Sequence, residues 1–118
     1  MADVAIIIMA GLETEADHAR LYNGLDAAVS LSESVTDNVR LVFDGAGVRW
    51  IPQLEDPDHE FHSLYREVAD IAACEDCARN LGVADEVGEA EGVRILRTRD
   101  DYTSVISLVR DDYEVITY

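Results

Sequence analysis

Apolar and polar positions alternate between two kinds of pattern along the chain. Asp3 to Ala10 (DVAIIIMA) is an almost unbroken, β-branched apolar run, which predicts a strand buried on both faces, as in a parallel sheet. Gly11 follows it, and from Thr14 the period changes. Leu21, Tyr22, Leu25, Ala28 and Val29 fall at i, i+1, i+4, i+7 and i+8, one apolar stripe of a helix. Val39 to Phe43 (VRLVF) predicts a second strand, closed by Asp44-Gly45-Ala46-Gly47. Pro52 and Pro57 bracket an irregular, acid-rich stretch, and a helix starting near Asp58 would bury Phe61, Leu64, Tyr65 and Val68. A third strand is predicted over Asp70 to Ala73, then a short helix from Glu75 to Leu81 stopped by Gly82. Val93 to Arg97 reads as a fourth strand, Tyr102 to Val109 as a helix capped by Asp100 or Asp101, and Tyr113 to Thr117 as a last strand.

Strand and helix alternate throughout. The expected architecture is a three-layer α/β/α sandwich around a mostly parallel sheet of about five strands. The 118 residues carry no repeat, linker or low-complexity segment, so residues 1–118 read as one domain. A chain of this size buries roughly two-thirds of its unfolded surface, enough for a hydrophobic core. The longest apolar run is too short to span a membrane, and no basic segment precedes it as in a signal peptide. A soluble cytoplasmic protein is expected.

Charge narrows the chemistry. There are 25 acidic and 9 basic residues, a formal net charge of −16, and every base is arginine. Without lysine the chain can build neither a Walker A phosphate loop nor a Schiff base. So acidic a surface repels nucleic-acid backbones, which excludes DNA or RNA as a direct partner. It also repels itself unless salt screens it, the Debye length being ~3 Å at 1 M. The acids are spread along the whole chain rather than gathered in a tail. That distribution suggests the cytoplasm of a salt-accumulating halophile; the other reading is an acidic interaction surface on an ordinary protein.

In a parallel sheet the ligand crevice lies outside the carboxyl ends of the strands. Three segments reach that edge in the predicted order: the loop at Gly11, the loop from Asp44 to Gly47, and Cys74 after the third strand. Gly11, Asp44, Gly45, Gly47 and Trp50 are candidate crevice residues. The chain has two cysteines, Cys74 and Cys77, in A-A-C-E-D-C-A-R-N-L-G. A close pair in a cytosolic protein points to reactive or metal-binding thiols rather than a structural bridge. At the strand-to-helix junction the sulfur of Cys74 can lie against the free N–H groups of the first turn, which favours thiolate. Glu75 and Asp76 oppose that effect. A modestly activated, solvent-facing Cys74 is expected, against the alternative of two small buried hydrophobes.

Four chemical uses compete. Both prolines precede the pair, so the later cis-proline of a thioredoxin-type dithiol is missing. Zinc could be held by Cys74, Cys77, His59 and His62, both pairs having a two-residue gap, but the glycine that usually follows a zinc-binding cysteine pair is missing. No histidine motif supports a cysteine hydrolase. Persulfide carriage needs only an accessible, partly ionised cysteine.

The apolar first strand, V-R-L-V-F-D-G-A-G-V (Val39 to Val48), C-E-D-C-A-R-N-L-G-V (Cys74 to Val83) and the terminal Y-E-V-I-T-Y resemble the DsrE/DsrF-like family of small sulfur-relay proteins, over essentially the full length. The resemblance implies a five-stranded α/β sandwich, assembly into homotrimers or hexamers, and a persulfide-carrying cysteine. The relay would feed sulfur metabolism or thiolation of transfer RNA, with sulfur donor and acceptor proteins as partners. Cys74, eight residues before Gly82, matches the family cysteine, and Cys77 would be the resolving thiol. The catalytic candidates are therefore Cys74 and Cys77, with no metal or cofactor expected. The competing reading is a non-catalytic binding or scaffold subunit of the same fold with inert cysteines.

The other candidates have plainer readings. The Asp44 to Gly47 loop lacks the third glycine of a dinucleotide fingerprint, Trp50 standing in that place, and suits a tight turn at a strand end. Asp44 as a phosphoacceptor would need a lysine partner. His18 lies on the first helix's apolar stripe as a half-buried core or subunit-contact residue, while His59 and His62 are expected on a solvated helix face. Trp50 and Tyr65 read as core or interface aromatics.

Overall fold

The computed structural model describes residues 3–34, 38–97 and 105–118. Five strands form one parallel sheet: β1 (Asp3–Ile8), β2 (Asn38–Phe43), β3 (Asp70–Cys74), β4 (Val93–Leu96) and β5 (Glu114–Thr117), in the order β4-β3-β2-β1-β5. β1 is an interior strand buried on both faces, Val4 through Ile8 being at most 5% exposed. It pairs with β2 from Asp3↔Asn38 to Ile8↔Phe43, and with β5 from Val4↔Glu114 to Ile7↔Thr117.

From β1 to β4 the chain steps across the sheet in one direction. Right-handed crossovers then place every intervening helix on one face. These are α1 (Glu15–Glu33), α2 (Trp50–Glu55), α3 (His62–Glu67), α4 (Glu75–Asn80) and α5 (Ala84–Glu89). The main core sits beneath them, built from Val4, Ile6, Ile8, Leu41, Phe43, Ile71 and Ala73 of the sheet against Leu21, Leu25, Ile51, Leu54 and Tyr65. The return from β4 to β5 crosses the whole sheet, so α6 (Val105–Arg110) lies on the opposite face. There Leu108 packs with Ala5, Ile7, Val42, Ala72 and Leu96. The sandwich predicted from the alternation of patterns is the one observed, with a sheet that is parallel throughout.

Local differences have identifiable causes. α1 starts where predicted, Thr14 capping it by accepting the Asp17 N–H at 3.0 Å. Its buried face, however, is Leu21, Gly24, Leu25, Ala28 and Val29; Tyr22 lies at the rim, 43% exposed, its ring 5.3 Å from that of Phe61. Pro52 does not bracket a loop but sits in the first turn of α2, where its missing N–H has no intrahelical partner to lose. A helix over residues 84–89 was not expected; Val87, 1% exposed, anchors it to the core. Asp100, Asp101 and Tyr102 fall outside the described residues. Among the described residues, no helix is long and apolar enough to cross a membrane.

Candidate functional site: two thiols and a carboxylate at the sheet edge

The site is assembled by the ends of two neighbouring strands. β2 ends at Phe43, and Asp44 caps the 3-10 turn Gly45–Arg49 that follows. Asp44 Oδ1 accepts the Gly45 N–H at 2.8 Å, and Gly45 adopts φ 51°, a left-handed conformation that glycine takes without a steric penalty. β3 ends at Cys74, which is also the N-cap of α4: its sulfur accepts the Cys77 N–H at 3.3 Å. The CxxC spacing thus puts the third residue of the helix over the capping sulfur. Cys77 Sγ in turn donates to Asp44 Oδ1 at 3.3 Å. The two sulfurs and a carboxylate oxygen lie within 4.8 Å of one another.

Burial separates the two thiols. Cys74 is 3% exposed and belongs to the main core, whereas Cys77 is half-buried. The expected solvent-facing Cys74 is therefore corrected. As the N-cap it does meet the helix's first-turn N–H groups, but its side chain turns back under that turn instead of outward. The thiol nearer solvent is Cys77. Burial pushes its pKa up to about 12, helped by its hydrogen bonds to Cys74 and Asp44 and opposed by the Gly45 N–H. Glu75 pairs with Arg79 and Arg97, and Asp76 pairs with Arg79.

Of the other crevice candidates, Gly45 joins this cluster through its amide. Gly47 lies against the carbonyl of Ile8, and Gly11 sits beside Glu13 and Arg49. Trp50 is 4% exposed, and its indole donates to the Ala10 carbonyl at 3.0 Å, tying α2 to the end of β1. Tyr65 is fully buried, and its hydroxyl donates to Glu55 at 2.6 Å.

The histidines gather elsewhere. His18 stands 5.7 Å from Trp50 and 5.0 Å from Phe61, ring to ring, with Nε2 2.8 Å from Glu60. His59 Nδ1 accepts the Phe61 N–H, and His62 Nδ1 donates to the Leu54 carbonyl at 2.6 Å. Both are half-buried and engaged by their own loop, not displayed on a solvated face. Among the described residues neither joins Cys74 and Cys77, so the four-residue zinc set proposed from spacing is not assembled. Sequence reading missed the ring cluster of His18, Trp50, His59 and Phe61; the dense H-E-F-H segment (His59 to His62) was its only signal. An open groove of about 600 Å³ beside it, lined by Thr14, Glu15, His18, Ala19, Tyr22 and Phe61, shares no residue with the cysteine site.

Three solved structures share the architecture. A conserved protein of unknown function from Bacteroides thetaiotaomicron, BT1422, aligns with a TM-score of 0.67 at 15% identity, over 98% of this chain and 95% of its own. The ychN protein of E. coli aligns at 0.63 and 17% identity over the whole of both chains. The protein of unknown function MTH1491 from Methanobacterium thermoautotrophicum aligns at 0.66 and 15% identity, over 98% of this chain and all of its own. The likeness is one of fold. No protein-family model and no curated protein matches the chain.

Proposed function

We propose that this chain is a DsrE/DsrF-like sulfur carrier in which Cys77 accepts and passes on a sulfane sulfur, with Cys74 behind it and Asp44 as its proton acceptor. The observation that carries this reading is the contact of a half-buried thiol with a carboxylate, Cys77 Sγ to Asp44 Oδ1 at 3.3 Å, at the carboxyl edge of a parallel sheet. Cys77 gives its proton to Asp44 as its sulfur attacks the terminal sulfur of a persulfide R–S–SH. The new S–S bond forms as the donor's own S–S bond to that sulfur breaks, and RS⁻ leaves to take up a proton. Delivery is the same exchange in reverse, onto a thiol of the acceptor protein. No net oxidation occurs in either direction, so no cofactor is required. The family resemblance adds donor and acceptor proteins and homotrimers or hexamers, and the composition of the chain a cytoplasmic setting. Incubation with a low-molecular-weight persulfide should add one sulfur atom per chain at Cys77, read by mass spectrometry; an unmodified mass would overturn the reading.

Asp44 gives a test with two opposite signs. Its hydrogen bond is one of the causes that raise the Cys77 pKa, so Asp44→Ala should lower that pKa and speed alkylation by iodoacetamide in chelator-treated protein at pH 8. The same substitution removes the proton acceptor, so sulfur uptake should slow by about 100-fold, the scale of general-base assistance. Both rates rising together would leave Asp44 no role in proton transfer.

A second reading, a scaffold subunit with inert cysteines, is favoured by the sealed position of Cys74. It requires that neither thiol take up sulfur and that neither substitution change binding to a partner.

We further propose that the −16 charge suits the chain to a salt-rich cytoplasm. Screening should raise the melting temperature between low and molar salt. An unchanged value would assign the acids to a binding surface instead.

A further inference from the structure

We infer that Asp44, Cys74 and Cys77 form a three-ligand site for a soft divalent ion such as Zn²⁺, a second use of the sheet-edge cluster independent of sulfur carriage. Geometry supports it. A tetrahedral zinc with bonds of about 2.3 Å to sulfur and about 2.0 Å to oxygen sets its sulfurs roughly 3.8 Å apart and each sulfur roughly 3.5 Å from the oxygen. The three donor atoms here already lie within 4.8 Å of one another, and Cys77 Sγ to Asp44 Oδ1 is 3.3 Å, so small side-chain rotations are enough to close around an ion. The donors come from the ends of two paired strands, β2 and β3, and from the first turn of α4 packed on them, which holds their spacing without a ligand.

The surroundings are those of a ligand set. The Cys77 N–H points at the Cys74 sulfur, and the Gly45 N–H at the Asp44 oxygen. Such donors orient first ligands and offset the negative charge gathered there. Two thiolates and one carboxylate select a soft or borderline ion over Mg²⁺ or Ca²⁺, which prefer all-oxygen sites. Three protein ligands leave the fourth tetrahedral position for water or a partner's side chain, reached from the side where Cys77 and Asp44 are half-buried. The charge balance is explicit: each thiol that ligates gives up its proton, so two protons leave per ion bound, and no electron moves.

The chain's many surface acids bind divalent ions loosely, so the test is made with excess Mg²⁺ present to occupy them. Chelator-stripped, reduced protein is titrated with Co²⁺ and Zn²⁺. One ion per chain is expected, with the sulfur-to-cobalt charge-transfer absorption of a two-thiolate site, release of two protons, and protection of both cysteines from alkylation. Cys77→Ala and Asp44→Asn, both at half-buried positions, keep the test valid if Cys74→Ser fails to fold. Cys77→Ala should reduce the charge-transfer band to that of a single thiolate at most and weaken binding by about 100-fold or more, and Asp44→Asn should weaken it by about 10-fold or more. Absence of the band, or a Zn²⁺ affinity left unchanged by Cys77→Ala, would overturn the site. Sulfur uptake is measured separately on stripped protein, so either property can fail without the other.

Discussion

Cys77→Ser protein exposed to a persulfide donor is expected to gain no sulfur, while Cys74→Ser protein under the same conditions gains a full equivalent. The asymmetry follows from burial. Transfer requires the attacking sulfur, the terminal sulfur of the donor and the departing sulfur to lie nearly in line, so the acceptor must be open on one side. Cys77 is half-buried with a carboxylate 3.3 Å away, whereas Cys74 is 3% exposed beneath the first turn of α4. Serine at residue 74 keeps the capping role, because its hydroxyl accepts a first-turn N–H better than sulfur does, so that variant should fold and serve as the positive control. Serine at residue 77 preserves volume and the contact to Asp44 but has no nucleophile at neutral pH. Mass spectrometry of intact and digested protein decides the outcome. An adduct of equal size on Cys77→Ser, or one located on Cys74, would reverse the roles assigned to the two thiols.

That assignment shows where sequence reading stopped. The spacing of Cys74 and Cys77 and the position of Asp44 at a strand end were visible, because strand ends and helix starts carry local signals: a β-branched run, a glycine turn, a cap. The direction of the Cys74 side chain was not. Whether a capping sulfur faces outward or under the turn is decided by what packs beneath the helix, and here Cys74 joins the main core together with Ala73 and Ala78. Tyr22 was misplaced for a related reason. The apolar stripe of α1 admits either Tyr22 or Gly24 at its margin, and the small residue took the buried place because the helix approaches Ile8 and Tyr118 closely there. Pro52 reads locally as a helix breaker but is harmless in a first turn, and α5 has too little intrinsic propensity to announce itself without the burial of Val87. The sheet, by contrast, was legible. Its continuous apolar strands and right-handed crossovers leave few alternative topologies.

Gly47→Ala is expected to be the most destabilising single-methyl change in the chain, by about 3–5 kcal/mol. A Cβ at this residue would collide with the backbone carbonyl of Ile8, the last residue of β1, with the carbonyl carbon only 2.8 Å away. Neither side can yield cheaply. The Ile8 oxygen already accepts the Asp44 N–H at 3.0 Å, and β1 is hydrogen-bonded to β2 on one side and β5 on the other. The 3-10 turn would have to lift off the sheet edge, exposing part of Val48 and Trp50. Against a total stability of roughly 5–15 kcal/mol, the melting temperature should fall by roughly 10 °C or more. Gly88→Ala is the matched control: its Cβ meets nothing within 4 Å and lies within α5, so it should stabilise by about 0.5–1 kcal/mol. The comparison reaches the function, because the turn that Gly47 seats is the one that Asp44 caps. If Gly47→Ala melted with the unaltered chain, the turn would not rest on β1, and the carboxylate would lose the support that holds it against Cys77. If it melts early yet remains folded in the cold, sulfur uptake should fall with it, since lifting the turn draws Asp44 Oδ1 away from the thiol.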